Sequence, residues 1–324
     1  MRLTEILKED QDLNNFIAKT KQVKNSLITG ANAGAFSLLL KQIVTELDAP
    51  LILVEENENK AQNLYGELSA ILPDDSVQIF PVDATIATQT AVSSPDELSN
   101  RIEALNFLLS KKAGIVVTTP QGLQYKLSAP DEFAQAKKDF EPGKEYELTD
   151  LNKWLVSLGY KKEALVARPG EFAIRGDILD VYPLDRENPV RIEFFGDEID
   201  TIKEFDLATQ RSQKEIDRVE ISAAQDRVFS SEAIEAAAKA IEKDMGDAPA
   251  PDKAVKDHFT VALDALNAGG LPDNYAFLVD YLIKKPSSLL EYLDKNGQIL
   301  IDDLPLIKQA VETVDKQNAA FISD

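Results

Sequence analysis

The sequence predicts an α/β fold in which a parallel sheet with helices is interrupted by a small antiparallel α+β domain. Three observations lead to this prediction. Short apolar runs alternate with helical stretches up to residue 120, and strand-like runs separated by turn residues then continue to residue 207. One isolated apolar run returns near the end of a helical region. Alternating strands and helices are typical of a parallel sheet, and a lone strand needs an existing sheet to join.

Residues 1–120 carry the alternating pattern. The predicted strands, each a short apolar run, are Leu27–Thr29, Leu51–Val54, Val77–Phe80 and Gly114–Thr118. The predicted helices are Ala35–Glu46, Asn59–Leu72 and a stretch that begins after Ser94. Ser94 is a favourable N-cap residue and Pro95 suits the first helical position, so the third helix has a well-defined start.

Residues 121–207 are predicted to form the inserted domain. The segment "LTDLNKWLVSLGY" is typical of an amphipathic helix, and Gly159 is its expected stop. Five strand-like runs follow, at Lys161–Ala167, Glu171–Arg175, Ile178–Tyr182, Val190–Phe195 and Glu198–Phe205. The segments "RPG", "RG" and "PLDRENP" between them have the composition of turns. We therefore expect a small antiparallel sheet with one helix.

Residues 208–324 are predicted to be mostly helical and to complete the first domain. Helices are expected at 230–246 and 251–267, and the run "QILIDD" at 298–303 is expected to join the sheet of residues 1–120. The chain stops at "KQNAAFISD" without a capping feature. A fragment of a longer protein and an ordinary C-terminus both remain open on this observation.

Composition narrows the possible functions. The 324 residues carry a net charge of −21, and their basic residues are scattered, so we expect no direct DNA binding. The absence of cysteine excludes disulfides and thiolate metal sites, and the single histidine, His258, excludes a histidine-based metal cluster. No apolar run approaches the roughly 20 residues that cross a membrane. With no signal peptide evident, we expect a cytoplasmic protein without membrane association.

An incomplete phosphate-loop pattern follows the first predicted strand. A working loop reads G-x-x-x-x-G-K-[ST], in which Lys reaches the phosphates and the hydroxyl holds magnesium. In "GANAGAFS", Gly30 and Ser37 match, whereas Ala35 replaces a glycine and Phe36 replaces the lysine. Alone, the segment fits an ordinary strand–turn–helix junction, a weak anion site or a degenerate ATPase loop.

A second partial pattern lies in "ILIDDLP", where Asp302 and Asp303 end an apolar run. A nucleotide hydrolase places an acidic pair there, first an Asp and then a catalytic Glu, and Asp303 is one methylene short of that Glu. The alternative interpretation is purely structural, namely that the two acids cap the next helix. Two degraded halves of one site, in the correct order, nevertheless favour a former nucleotide site without a metal.

Longer segments carry a resemblance to a known family. "RPGEFAIRGDILDVYPL" and "PVRIEFFGDEIDTIKEFDLATQRS" closely resemble the N-terminal module of bacterial transcription-repair coupling factors, which is itself similar to the excision-repair helicase subunit UvrB. "LILVEENENKAQNLYGEL" and "LLEYLDKNGQILIDDLP" resemble further UvrB segments. The resemblance covers essentially the whole chain and implies a degenerate P-loop helicase-like sheet interrupted by a UvrB domain 2-like insertion. Its implied boundaries are 1–120, 121–207 and 208–324.

Departures from UvrB imply lost activities. UvrB has an intact phosphate loop, an acidic box with a Glu, and a tyrosine-rich hairpin that enters damaged DNA. This chain has Phe36, Asp303 and, at residues 80–101, a short stretch without tyrosine. The resemblance therefore implies a segment that is not an enzyme and that binds no cofactor itself.

The same resemblance implies that the inserted domain binds UvrA, the damage-recognition ATPase. On the family match we predict Arg175 and Lys161 as contact residues, with Tyr182 as an aromatic neighbour. Strand alternation would expose Arg175 beside Lys161 on the preceding strand. The alternative is that Arg175 merely pairs with Glu171 or Glu193 across strands, as we expect of Arg191.

The family also implies functions for a longer protein. An ATP-dependent DNA translocase would follow this segment, contacts with RNA polymerase and DNA would come from other domains, and a C-terminal inhibitory domain would mask the UvrA-binding surface. The second hypothesis is a UvrB-like fragment that retains ATP or DNA binding.

Overall fold

The computed structural model describes residues 11–20, 27, 33–82, 94–247, 253–272 and 274–323. Its helices are α1 (Gln11–Thr20), α2 (Ala33–Leu47), α3 (Glu58–Ser69), α4 (Pro95–Ser110), α5 (Pro120–Gln124), α6 (Pro130–Gln135), α7 (Leu148–Ser157), α8 (Ser231–Asp247), α9 (Lys253–Asn267), α10 (Val279–Leu282), α11 (Leu289–Tyr292) and α12 (Leu304–Ser323). A 3₁₀ helix covers Ala276–Leu278. Its strands are β1 (Pro50–Val54), β2 (Val77–Phe80), β3 (Gly114–Thr118), β4 (Lys137–Phe140), β5 (Lys161–Lys162), β6 (Glu171–Arg175), β7 (Ile178–Val181), β8 (Val190–Phe195), β9 (Glu198–Phe205), β10 (Ser212–Glu215), β11 (Val219–Ser222) and β12 (Gln298–Ile301).

The chain divides into two compact units. Unit 1 consists of residues 1–88, 103–125 and 288–324, and unit 2 consists of residues 89–102 and 126–287. Unit 1 contains the parallel sheet, and unit 2 contains the antiparallel strands and the helices α8 and α9. The α/β fold class predicted from the sequence is confirmed.

The sheet of unit 1 has the order β12–β1–β3–β2, and all three pairings are parallel. Strands β1 and β3 are buried along their whole length, as expected of parallel strands whose two faces are both covered. The pairing of β12 with β1 confirms that the late strand joins this sheet. Of the predicted first strand, Leu27 lies in no strand, and Ile28 and Thr29 fall outside the described residues.

The larger sheet of unit 2 has the order β10–β9–β8–β7–β6–β5. Four pairings are antiparallel, and three of them join predicted strands, but β5 pairs with β6 in parallel. Helix α7 packs against β5 and β6 and ends before Gly159, whose φ of +88° confirms the predicted stop. The predicted strand Lys161–Ala167 is too long, because the backbone N–H groups of Ala167 and Arg168 donate to the Glu171 carboxylate instead of to a strand.

Unit 2 contains three strands that the sequence pattern did not predict, namely β4, β10 and β11. Strand β10 pairs with β9, and β11 pairs with β4 in a separate two-stranded sheet. Residues 208–324 are mostly helical, but they contain β10 and β11 in addition to the one strand that was predicted there. All four residues of β10, "SQKE", are exposed, and they show no alternation of apolar and polar residues. Backbone hydrogen bonds to β9 at the sheet edge therefore hold this strand in place. Helices α8 and α9 lie at the predicted positions and pack together around Ile241 and Leu266.

Candidate protein-interaction site

A network of charged side chains covers one face of the unit 2 sheet. Cross-strand register places Asp180 opposite Ala173 on one side and Arg191 on the other, so these side chains share a face. Asp180 is fully buried, and both Arg175 and Arg191 donate to its carboxylate. We call Arg175, Asp180 and Arg191 the arginine–aspartate triad.

Arg191 is the fixed member of the triad. Its Nε lies 2.7 Å from Oδ1 of Asp180 and its Nη2 lies 2.9 Å from Oδ2, which is a bidentate pair. Its guanidinium also lies 4.8 Å from the centre of the Phe205 ring, and Nη1 donates to the Gln210 carbonyl at 3.2 Å. The hydrogen bonds to Asp180 raise the pKa of Arg191 above its usual value.

A second charged group continues along the face. Glu193 accepts hydrogen bonds from Lys203 and Thr201, each at 2.8 Å. The bond from Lys203, followed by the one from Thr201, lowers the pKa of Glu193. The face therefore presents paired charges, and Arg175, whose side chain is 39% exposed, is the more accessible arginine of the triad.

Arg175 and Lys161 do not form the predicted basic cluster. In the parallel β5–β6 pair, Lys161 lies opposite Glu171, at the start of β6, whereas Arg175 ends that strand. Four residues of extended chain separate the two positions by about 13 Å. An antiparallel pairing would bring Lys161 towards the Arg175 end of β6, whereas the observed parallel pairing places it at the opposite end. Of the alternative partners expected for Arg175, neither Glu171 nor Glu193 is used, because Asp180 takes that place.

Tyr182 is not an exposed neighbour of the triad. Its ring is 8% exposed and packs with Val166, Ala173 and Phe205. Its hydroxyl donates to the Glu187 carbonyl at 2.8 Å. Tyr182 is therefore part of the buried packing of this sheet face. The expectation of an accessible aromatic contact at this position is wrong.

An exposed aromatic side chain lies instead at the end of β8. Phe195 is 85% exposed, while its neighbour Phe194 is buried. Beside it is a shallow hollow of about 310 Å³ lined by Pro142, Gly143, Glu198, Ile199 and Asp200. The exposure of Phe195 could have been predicted from the sequence. Successive side chains of a strand point to opposite faces, so in "FFGDE" only one of the two phenylalanines can face the core. Asp180 offered no comparable signal, because only the register reveals its two partners.

The incomplete phosphate-loop pattern overlaps the start of helix α2, and two polar side chains of this helix are hydrogen-bonded within unit 1. Helix α2 begins at Ala33, earlier than predicted, and Gly30 lies outside the described residues. Phe36 packs against the apolar core of unit 1. Ser37 is 6% exposed and donates to Oε2 of Glu67 at 2.8 Å. Lys41, the nearest lysine along the chain, donates to the Ile71 carbonyl, so its ammonium is held at the end of α3.

The acidic pair lies at the carboxyl end of β12. The Asp302 N–H donates to the Val54 carbonyl at 3.1 Å and extends the strand pairing. Asp303 has a φ of +51°, and its carboxylate and carbonyl accept from the N–H groups of Leu306 and Ile307 at the start of α12. Asp303 therefore caps helix α12, as the structural interpretation of this pattern predicts.

The described part of the chain has neither a metal-binding cluster nor a membrane-spanning helix. No group of three or more Asp, Glu, His or Cys residues in it is arranged to hold a metal ion. None of its helices is long and apolar enough to cross a lipid bilayer.

Comparison with known proteins places the triad in a matched region. Residues 139–226, which contain the triad and Phe195, match the family model described as the UvrB interaction domain. Over 98% of its length the chain is 31% identical to the transcription-repair-coupling factor of Bacillus subtilis (strain 168). Over 99% it is 28% identical to the protein of that name from Staphylococcus aureus (strain Mu50 / ATCC 700699). The chain spans 28% of the length of each of these relatives. It is thus a relative of the transcription-repair-coupling factors that carries a UvrB interaction domain over residues 139–226.

Proposed function

We propose that this chain is a non-catalytic interaction module of a transcription-repair coupling factor and that it recruits UvrA to stalled transcription complexes. The name of its relatives supports the coupling role, and the UvrB interaction domain match supports a contact within excision repair. One observation carries the choice of surface: Arg175 is an accessible cation held in place by a buried carboxylate, in a chain whose net charge is −21.

The binding surface consists of the triad and Phe195. Arginine and aromatic residues are enriched among the residues that dominate interface energies, because they bring large contact areas with directed hydrogen bonds. Phe195 brings an exposed ring beside a hollow, and Arg175 brings a guanidinium whose position is already defined. Little side-chain freedom of Arg175 is then lost on association, which favours affinity.

The module acts without nucleotide or metal of its own. Phe36 occupies the lysine position of a phosphate loop, and the Ser37 hydroxyl that would hold magnesium is bonded to Glu67. Both observations support a scaffold role for unit 1. ATP hydrolysis, DNA translocation and RNA polymerase binding belong to other parts of a longer protein, as does the inhibitory domain that masks the UvrA surface. The module works in the cytoplasm without a direct DNA or membrane contact.

Binding of UvrA to immobilised wild type, measured by biolayer interferometry, tests this function. Arg175→Gln removes the cation while Arg191 keeps the Asp180 carboxylate paired. We expect Arg175→Gln to weaken UvrA binding roughly ten- to a hundred-fold, and we expect a loss of the same size from Phe195→Ala.

The matched control is Lys243→Glu, a change of an exposed cation on α8 in the same unit. It alters the net charge more than Arg175→Gln does, so unchanged binding by this variant shows that position matters and not total charge. Equal losses in all three variants would contradict the assigned surface.

A further inference from the structure

Asp180 accepts two guanidinium groups that are held very differently. It lies directly opposite Ala173, and Arg175 is two residues further along β6 on the same face. Diagonal cross-strand neighbours are about 7–8 Å apart, within reach of an arginine side chain. Because Ala173 has a small side chain, the guanidinium of Arg175 has room to reach back across it to Oδ2 of Asp180.

Arg191 alone satisfies the charge of Asp180. It donates to both carboxylate oxygens, and the Phe205 ring and the Gln210 carbonyl hold it from two further directions. The side chain of Arg191 is 13% exposed and that of Asp180 is 1% exposed. A buried carboxylate with such a bidentate partner needs no second cation for neutrality.

Arg175 is the second cation. Its side chain contacts Asp180 through Nη2 only, and across the described residues that side chain has no other hydrogen bond or ion pair. A guanidinium has five N–H donors in a fixed plane, so most of those on Arg175 remain available. The triad carries a net charge of +1, and Arg175 is its exposed end.

We propose that Asp180 is a positioning residue that presents Arg175 to a carboxylate of the partner protein. This inference rests on the proposed function, with UvrA as the partner. The partner carboxylate binds the donors of Arg175 that Asp180 leaves open. Arg191 meanwhile neutralises Asp180, so that its charge does not repel the incoming acid.

Asp180→Asn separates positioning from simple charge, because the two effects have opposite signs. Removing a negative charge beside Arg175 raises the positive charge of the surface and would strengthen binding to an acidic partner. Losing the group that orients Arg175 weakens binding. We expect the variant to bind UvrA roughly ten-fold more weakly than wild type, since about one well-placed charged hydrogen bond is lost.

The experiment is a double-variant cycle on UvrA affinity with wild type, Asp180→Asn, Arg175→Gln and the combined variant, each checked by circular dichroism. If Asp180 acts through Arg175, its substitution has little further effect in the Arg175→Gln background. Arg175→Lys, which keeps the charge but loses the planar donors, is expected to weaken binding as well. It serves as the second test if Asp180→Asn does not fold.

The outcomes separate this inference from the proposed function. Wild-type binding together with unchanged or tighter binding by Asp180→Asn overturns the positioning role and leaves UvrA recruitment standing. A full additional loss in the Arg175→Gln background also overturns it, since a purely structural role of Asp180 would persist there. No binding by wild type overturns the proposed function and this role with it.

Discussion

The Ser37 hydroxyl donates a hydrogen bond to Oε2 of Glu67 at 2.8 Å. In a working phosphate loop that hydroxyl would hold magnesium, but here it joins α2 to α3 within unit 1. The bond is formed at a nearly buried residue, beside a phenylalanine that packs into the core. Helix α2 is therefore integrated into the packing of unit 1 through the positions that would otherwise serve a nucleotide.

Restoring the lysine alone is not expected to restore nucleotide binding. Phe36→Lys supplies the missing cation, but Ser37 stays bonded to Glu67 and Ala35 still replaces the loop glycine. We expect no heat of binding in a calorimetric titration with Mg–ATP. The variant should also lose roughly 1–3 kcal/mol of unfolding free energy, because a ring leaves the core. A micromolar dissociation constant for ATP would show that the rest of the site is intact.

Glu55 makes the stability of unit 1 depend on pH. It follows β1, is 3% exposed, and lies next to Asp302 because Val54 and Ile301 are paired in parallel register. Burial, followed by the charge of Asp302, raises the pKa of Glu55 from 4.5 to about 7, although Lys60 opposes the shift. The folded state then binds more protons than the unfolded state between these two values. Stability from this group is fully present below pH 4.5 and is lost as the pH rises through about 7.

The matching variant is Glu55→Gln, which keeps the shape and removes the titration. Urea unfolding monitored by far-ultraviolet circular dichroism should show that wild type loses up to about 3 kcal/mol relative to the variant as the pH rises across that window. Asp74→Asn, an exposed acid in the loop before β2, is the control and should follow wild type. Parallel curves for wild type and Glu55→Gln would contradict the shifted pKa.

Gly159 is required for more than its backbone angle. Its φ is +88°, and a Cβ atom there would lie 2.7 Å from Oε1 of Gln225. We expect Gly159→Ala to destabilise the protein by about 1–3 kcal/mol, from left-handed backbone strain and displacement of Gln225. Gly176→Ala is the matched control, since Gly176 has a φ of +58° and open space around it. Chemical denaturation of both variants separates the two costs, and equal losses would exclude a role for Gln225.

Local sequence patterns were sufficient for most of the secondary structure. Val77–Phe80 and Gly114–Thr118 are apolar runs between clear turn signals, and the structure has strands with those bounds. Strand β10 lacked such a signal because its four residues are exposed and it depends on β9 for its hydrogen bonds. The alternation of apolar and polar residues marks strands that have a buried face. An edge strand without a buried face lacks this pattern and cannot be predicted from it.

The candidate site was less predictable because it depends on register. Arg175 could be identified from its motif, but its partner Asp180 lies on the next strand and is defined by the pairing of Ala173 with Asp180. The expected neighbour Lys161 lies at the other end of β6, since β5 runs parallel to it. A one-dimensional pattern gives the face of each strand, whereas the alignment between strands decides which charges meet.

Isothermal titration of this chain with UvrA measures directly whether the module binds UvrA through Arg175. We expect saturable binding of UvrA by wild type, loss of most of that affinity in Arg175→Gln, and retention of it in Lys243→Glu. No detectable UvrA binding by folded wild type, or equal affinity for wild type and Arg175→Gln, would contradict it.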